Sequence, residues 1–192
     1  MSVTENDFTA VSIFVNPTQF GTNEDFEAYP CTLDSDLDVV TKASDDVLFA
    51  PNLHEMYPSA DNTWVEVTGQ VTHELCGKSR PIHFRGFTTV VCKLFNIVTT
   101  TRAYFGQKDV QHVEVLRRMV KDLFFDIDLR IMPINREDSG LARSSRNTYL
   151  SNEERQAAIV LSKSLTEALE LYKSGQRSAS AIIDNTRKII EK

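Results

Sequence analysis

The hydrophobic positions fall into short apolar runs and helical stripes that alternate along the first two thirds of the chain. Ala10 to Val15 is almost continuously apolar and stops at Asn16-Pro17, which predicts a strand buried on both faces of a parallel sheet. A polar loop runs to Pro30. Thr32 to Ala43 then sets Leu33, Leu37 and Val40 at helical spacing, and Val47 to Ala50 predicts a second strand ahead of Pro51. Strand, helix and strand in that order make a βαβ crossover. Trp64 to Val67 alternates as a short exposed strand would, and Phe87, Val90, Val91, Leu94, Phe95 and Val98 share one face of a helix. Arg102 to Phe105 predicts the next strand. Asp109 stands where it would cap a helix that turns Val113, Leu116, Val120 and Leu123 inward, and Ile127 to Ile134 predicts one more strand. The alternation predicts a doubly wound α/β layer over residues 1–133.

From residue 134 the texture changes to a polar loop and then helices with no strand between them, so 134–192 reads as part of a smaller, mainly helical domain. Ser151 with Glu154 forms a capping box. Ala158, Leu161, Leu165, Ala168, Leu169 and Tyr172 make one apolar stripe before a stop at Gly175, and Ile182, Ile183, Ile189 and Ile190 mark a last short helix. Two amphipathic helices without a partner sheet leave an exposed stripe, which reads as an incomplete domain.

With 41% apolar and 25% charged residues in 192, the chain can bury one good core. A net charge of −6 argues against an extended nucleic-acid surface, which needs clustered Lys and Arg. Three cysteines (Cys31, Cys76 and Cys92), with no C-x-x-C, suit a reducing compartment and a cytoplasmic location. Residues 1–9 have no signal-peptide pattern, and no apolar run approaches the ~20 residues of a membrane span.

The candidate chemistry lies in loops that follow strands, where ligands of open parallel sheets bind. Phe105-Gly106-Gln107-Lys108-Asp109 joins a permissive glycine and a point charge to a helix start, and Arg143-Ser144-Ser145-Arg146 offers hydroxyls and guanidinium forks, with Asn135 and Arg136 upstream. Both suit phosphate. Neither Gly-x-x-x-x-Gly-Lys nor Gly-x-Gly-x-x-Gly is present, which excludes the two standard nucleotide fingerprints. Asn16 and Gln19 either read an acid or hydroxyl substrate or simply start a turn. Arg80 and His83 precede a helix and suit an anion. His73-Glu74-Leu75-Cys76 has no second ligand pair at zinc spacing, so no protein-bound metal is expected.

These segments together resemble the pantoate–β-alanine ligase family. The likeness runs from about Val11 to Gln176 through Asn16-Pro17-Thr18-Gln19-Phe20, Tyr29 to Thr32, Glu55 to Pro58, Arg80 to Gly86, Phe105 to Asp109 and Asp138 to Asn147. It implies a Rossmann-like parallel sheet of the nucleotidyltransferase type, a homodimer, and the ATP-dependent condensation of pantoate with β-alanine through pantoyl adenylate, with Mg²⁺ carried by ATP. Lys108, Ser144, Ser145 and Arg146 are the implied catalytic groups. Gly106, Gln107, Asp109, Asn135 and Arg143 would join them around the nucleotide, and Gln19, Asn16, His112, Arg80 and His83 would serve the acid. His112 stands where the family usually places a second pantoate-binding glutamine, and Ile82 replaces a glycine and is expected to crowd its loop. The family's His-x-Gly-His segment has no counterpart among these residues. Slow turnover by the chain alone is therefore expected, the alternative being a non-catalytic fragment or assembly module that keeps ligand-binding surface.

Overall fold

The structure, a computed structural model, describes residues 2–22, 24–59 and 62–191. The chain divides into two compact units, Met1–Met132 and Pro133–Lys192. The first contains α1 (Ser2–Glu5), β1 (Ala10–Ser12), α2 (Leu33–Ala43), β2 (Val47–Phe49), α3 (Leu53–Met56), α4 (Gln70–His73), α5 (Cys76–Ser79), α6 (His83–Val98), β3 (Arg102–Gly106), α7 (Val110–Asp122) and β4 (Asp128–Met132). The second contains α8 (Asn152–Ala158), α9 (Val160–Lys173) and α10 (Ala179–Ile190).

Among the described residues the strands pair two by two, each pair parallel. β1 lies on β2 with Ala10 opposite Val47, and β3 lies on β4 with Arg102 opposite Asp128. Residues of β1 and β3 line one cavity of about 510 Å³, walled by Val91, Leu94, Phe95 and Val98 of α6. β1 is shorter than its apolar run predicts, and none of residues 10–15 is fully buried. Among the described residues β1 pairs with β2 alone, and its residues line that cavity.

The core of this unit joins α6 to α7. Phe84, Val90, Val91 and Phe95 meet Val115, Leu116 and Met119, with Met56, Val67 and Ala103 completing the cluster. α6 starts at His83, four residues before the predicted stripe, because Phe84 and Thr88 are also buried. Trp64 to Val67 forms no strand. Val65 N–H donates to Thr89 Oγ1 at 3.0 Å and its carbonyl accepts from Thr88 Oγ1, so two helix hydroxyls replace a ladder partner. On α7, Val113 and Leu116 are buried as expected, whereas Leu123 is exposed and Val115 and Met119 take its place. Asp109 occupies the N-cap position without a side-chain cap bond; its carboxylate lies 3.6 Å from Lys108 Nζ.

In the second unit the capping box forms as read: Glu154 N–H donates to Ser151 Oγ at 3.2 Å and Ser151 N–H to Glu154 Oε2 at 2.8 Å. The helix it starts ends at Ala158 and resumes at Val160, so one predicted helix is two. Gly175, at φ +106°, provides the left-handed stop after α9. α9 packs against α10, with Ser164 buried, while Leu161, Leu165, Leu169 and Tyr172 remain exposed.

Candidate functional site

Asn16-Pro17 ends the first apolar run by turning it into a single 3₁₀ turn, Pro17–Gln19. Asn16 is buried and its polar atoms face inward. Oδ1 accepts from Thr18 Oγ1 at 2.9 Å and Tyr57 OH at 3.1 Å, and Nδ2 donates to the Gly86 carbonyl at 3.1 Å. Asn16 thus bolts the turn to α6, and Gln19 is what the turn presents.

Two side chains hold the Gln19 backbone. Arg80 Nη2 donates to the Gln19 carbonyl at 3.2 Å and His83 Nδ1 lies 2.9 Å from the same oxygen. Arg80 is itself clamped by Glu24: Nε donates to Oε1 at 2.8 Å, and Nη2 makes a second bond to Oε2. The Arg80 hydrogen bond and charge hold the Glu24 carboxyl below the usual carboxylate range. Arg80 and His83 therefore position a backbone within the described structure. Glu24 was not legible as their partner, since it lies 56 residues before Arg80 in a loop without periodicity.

His83 in turn meets His112, with the two Nε2 atoms 2.8 Å apart. The His112 ring packs edge-on against Phe87, centroids 4.5 Å apart, and against Phe84 at 5.4 Å. Burial lowers both imidazole pKa values, that of His112 to about 4, with the charge of His83 the next cause for His112. Lys108 and Asp109 lie close enough to bias His112 in opposite senses. Gln111 faces away from this group. Its Nε2 donates to the Val71 and Glu74 carbonyls at 2.9 and 2.7 Å, and its Oε1 accepts from Cys76 N–H at 3.0 Å. Ile82 has helical backbone angles and an exposed side chain, so the crowding expected of it is absent.

Gly106 to Asp109 lies at the carboxyl end of β3 and is exposed; a Cβ on Gly106 would meet nothing within 4 Å. An anion can approach this backbone unhindered. The other cationic loop belongs to the second unit. The Asn135 carbonyl accepts from Arg143 N–H at 2.9 Å, Ser144 Oγ accepts from Arg146 N–H at 3.3 Å, and Asn147 Nδ2 donates to the Ala142 carbonyl at 3.0 Å. Glu137 receives two bonds from Arg155 Nη1, at 2.8 and 2.9 Å, and Arg155 also donates to the Asn147 carbonyl. Arg143, Ser145 and Arg146 are at least partly open to solvent. Among the described residues no group of three or more His, Cys, Asp or Glu is placed to hold a metal ion, and no helix is long and apolar enough to cross a membrane.

A parallel α/β unit with cationic strand-end loops, followed by a helical unit, defines a protein of the nucleotidyltransferase-like class. The family profile described as pantoate-beta-alanine ligase matches residues 1–192, and the chain belongs to that family. It is 58% identical over 182 residues to the pantothenate synthetase of Acetivibrio thermocellus, covering 95% of this chain and 64% of that protein. Against the pantothenate synthetase of Enterococcus faecalis it is 54% identical over 186 residues, covering 97% of this chain and 66% of the relative. The chain thus spans just under two thirds of these relatives. Among solved structures, pantothenate synthetase from Thermus thermophilus superposes with a TM-score of 0.96 at 43% identity, over 98% of this chain and 68% of that one. A pantoate-beta-alanine ligase from Francisella tularensis, complexed with beta-gamma ATP and beta-alanine, superposes at 0.83 with 34% identity, over 98% and 70%.

Proposed function

We propose that this chain serves the ATP-dependent condensation of pantoate with β-alanine. A pantoate carboxylate oxygen attacks the α-phosphorus of ATP and pyrophosphate leaves; the β-alanine amine then attacks the acyl carbon of pantoyl adenylate, AMP leaves, and the amine proton is lost. The first step gathers charge on the departing pyrophosphate. Lys108, Ser144, Ser145 and Arg146 offer the donors that stabilise it, with Gly106, Gln107, Asp109, Asn135 and Arg143 around the nucleotide. These nitrogen and hydroxyl donors fit a polyphosphate, and Mg²⁺ arrives as part of the ATP substrate. Gln19 orients the acid, held in place by Arg80 and His83.

The observation that carries this reading is the clamp on the Gln19 turn: Asn16, Arg80, His83 and Glu24 all serve to fix one short polar loop beyond β1. The ligands named for the Francisella neighbour support it. Calorimetric titration of the chain with pantoate and with ATP checks it. Each ligand is expected to release or absorb heat, with Gln19→Ala weakening pantoate and Lys108→Ala weakening ATP at least about tenfold while circular dichroism is unchanged. Heat from neither ligand, with a stable oligomer in solution, would instead favour an assembly module.

A further inference from the structure

The site contains a choice of proton positions that its geometry resolves. His83 Nδ1 lies 2.9 Å from the Gln19 carbonyl oxygen, which can only accept, so Nδ1 carries the proton. His83 Nε2 has two neighbours: Arg80 Nη1 at 3.4 Å, which can only donate, and His112 Nε2 at 2.8 Å. A doubly protonated His83 would direct its Nε2–H beside that guanidinium and place a second cation next to it in a buried position. The neutral ring fits both neighbours, leaving Nε2 as an acceptor. His112 must then donate from Nε2, and its own Nδ1 is left bare. No described group bonds to His112 Nδ1, and this nitrogen is not among the sealed, unpartnered atoms; Thr9 Oγ1 is the one such side-chain atom among the described residues.

We infer that His83 locks His112 in its Nε2–H tautomer, so that His112 presents to a ligand an acceptor only and selects an acid that places a hydroxyl, rather than a carboxylate oxygen, against Nδ1. The inference rests on the reading that a hydroxy acid binds beside Gln19. A lone pair repels a carboxylate oxygen and accepts an O–H, so this position distinguishes the hydroxyl end of the substrate from its acid end. A glutamine here would offer both a donor and an acceptor and could not discriminate by charge in this way. The groups facing the pair are Arg80, Glu24, Lys108 and Asp109, with Phe84 and Phe87 against the His112 ring. The lowered pKa values of both imidazoles are in keeping with a neutral, singly protonated pair.

Two measurements on the 192-residue chain test this. Long-range ¹H–¹⁵N spectra of the imidazoles near neutral pH need no ligand and are expected to show His112 protonated on Nε2 with a bare Nδ1; an Nδ1–H tautomer, or rapid averaging between the two, overturns the inference. Calorimetry then compares pantoate with analogues lacking its 2-hydroxyl or its 4-hydroxyl. One analogue is expected to bind at least about tenfold more weakly, and His112→Phe is expected to close that gap to within about twofold. Should His112→Phe fail to fold, the imidazole spectra of the native chain, which need no variant, still decide between the two tautomers. Pantoate that binds equally with or without either hydroxyl overturns this inference alone, whereas pantoate that does not bind overturns the substrate reading together with it.

Discussion

Gly86 decides how closely α6 can approach the Gln19 turn. A Cβ built on it would stand 2.3 Å from the Thr18 carbonyl oxygen and 2.7 Å from Gln19 N, both backbone atoms that cannot swing away. Helix propensity alone favours Gly86→Ala by about 1 kcal/mol, but overpacking at such distances costs roughly 1–3 kcal/mol and displaces the turn. Gly86→Ala is therefore expected to lower stability in urea denaturation and to weaken pantoate binding together; a stabilised variant would show that the helix and turn are not in contact. None of this was legible in the sequence, where Gly86 lies just before the apolar stripe that starts at Phe87. The candidates Arg80, His83 and His112 were visible as residue types. Their partners were not, because Asn16 and Gly86 are 70 residues apart and local spacing carries no information about such pairs. Asn16 is the clearest case: its side chain works inside the protein, and the turn-starter reading describes its geometry.

The elements were more legible than their partners, because caps and apolar periodicity are local. The Ser151–Glu154 box and the Gly175 stop are readable from a few adjacent residues, whereas the alternation of Trp64 to Val67 misleads because its backbone bonds go to threonine hydroxyls on α6. Pairing of β1 with β2 alone likewise has no local signature. Within the second unit, α8 reaches the cationic loop through Arg155, which bridges Glu137 and the Asn147 carbonyl. Both side chains of the pair are open to solvent, so water screens the interaction and its loss should not unfold the unit. Its effect is local order. Arg155→Leu is expected to speed amide exchange of Arg143 and Asn147, whose N–H groups bond within this loop, while the α7 amides keep their rates. Uniform exchange changes in both units would contradict a role confined to the loop. Strands tell a related story: β1 and β2 pair over three residues each, too short for independent stability, so their amides are expected to exchange well before those of α6.

At the scale of the whole molecule, the same histidine pair ties folding to acidity. In the folded chain, burial keeps both imidazoles neutral below the usual 6.5, and His112 resists protonation to about 4. The unfolded chain takes up these protons near pH 6.5. Between about 6.5 and 4 the unfolded state thus binds more protons, and stability falls as the pH drops, with a slope from one such group approaching about 1.4 kcal/mol per pH unit. The direction is set by burial of the His112 ring, which the folded chain keeps neutral across this window while the unfolded chain does not. Glu24 contributes lower on the scale. Its pKa is depressed by Arg80, so its stabilisation holds above the ordinary carboxylate value of 4.5 and disappears as the pH falls through the folded value. Urea midpoints measured from about pH 7.5 down to about 5 separate the two, because this range lies above the ordinary carboxylate value of 4.5, from which the Glu24 value is lowered. The native midpoint is expected to fall steadily across this range, and His112→Gln, which removes one titrating imidazole, is expected to flatten the decline. A variant that declines as steeply as the native chain would place the acid sensitivity outside the pair, and with it would go the claim that these two rings share a single buried, neutral hydrogen bond.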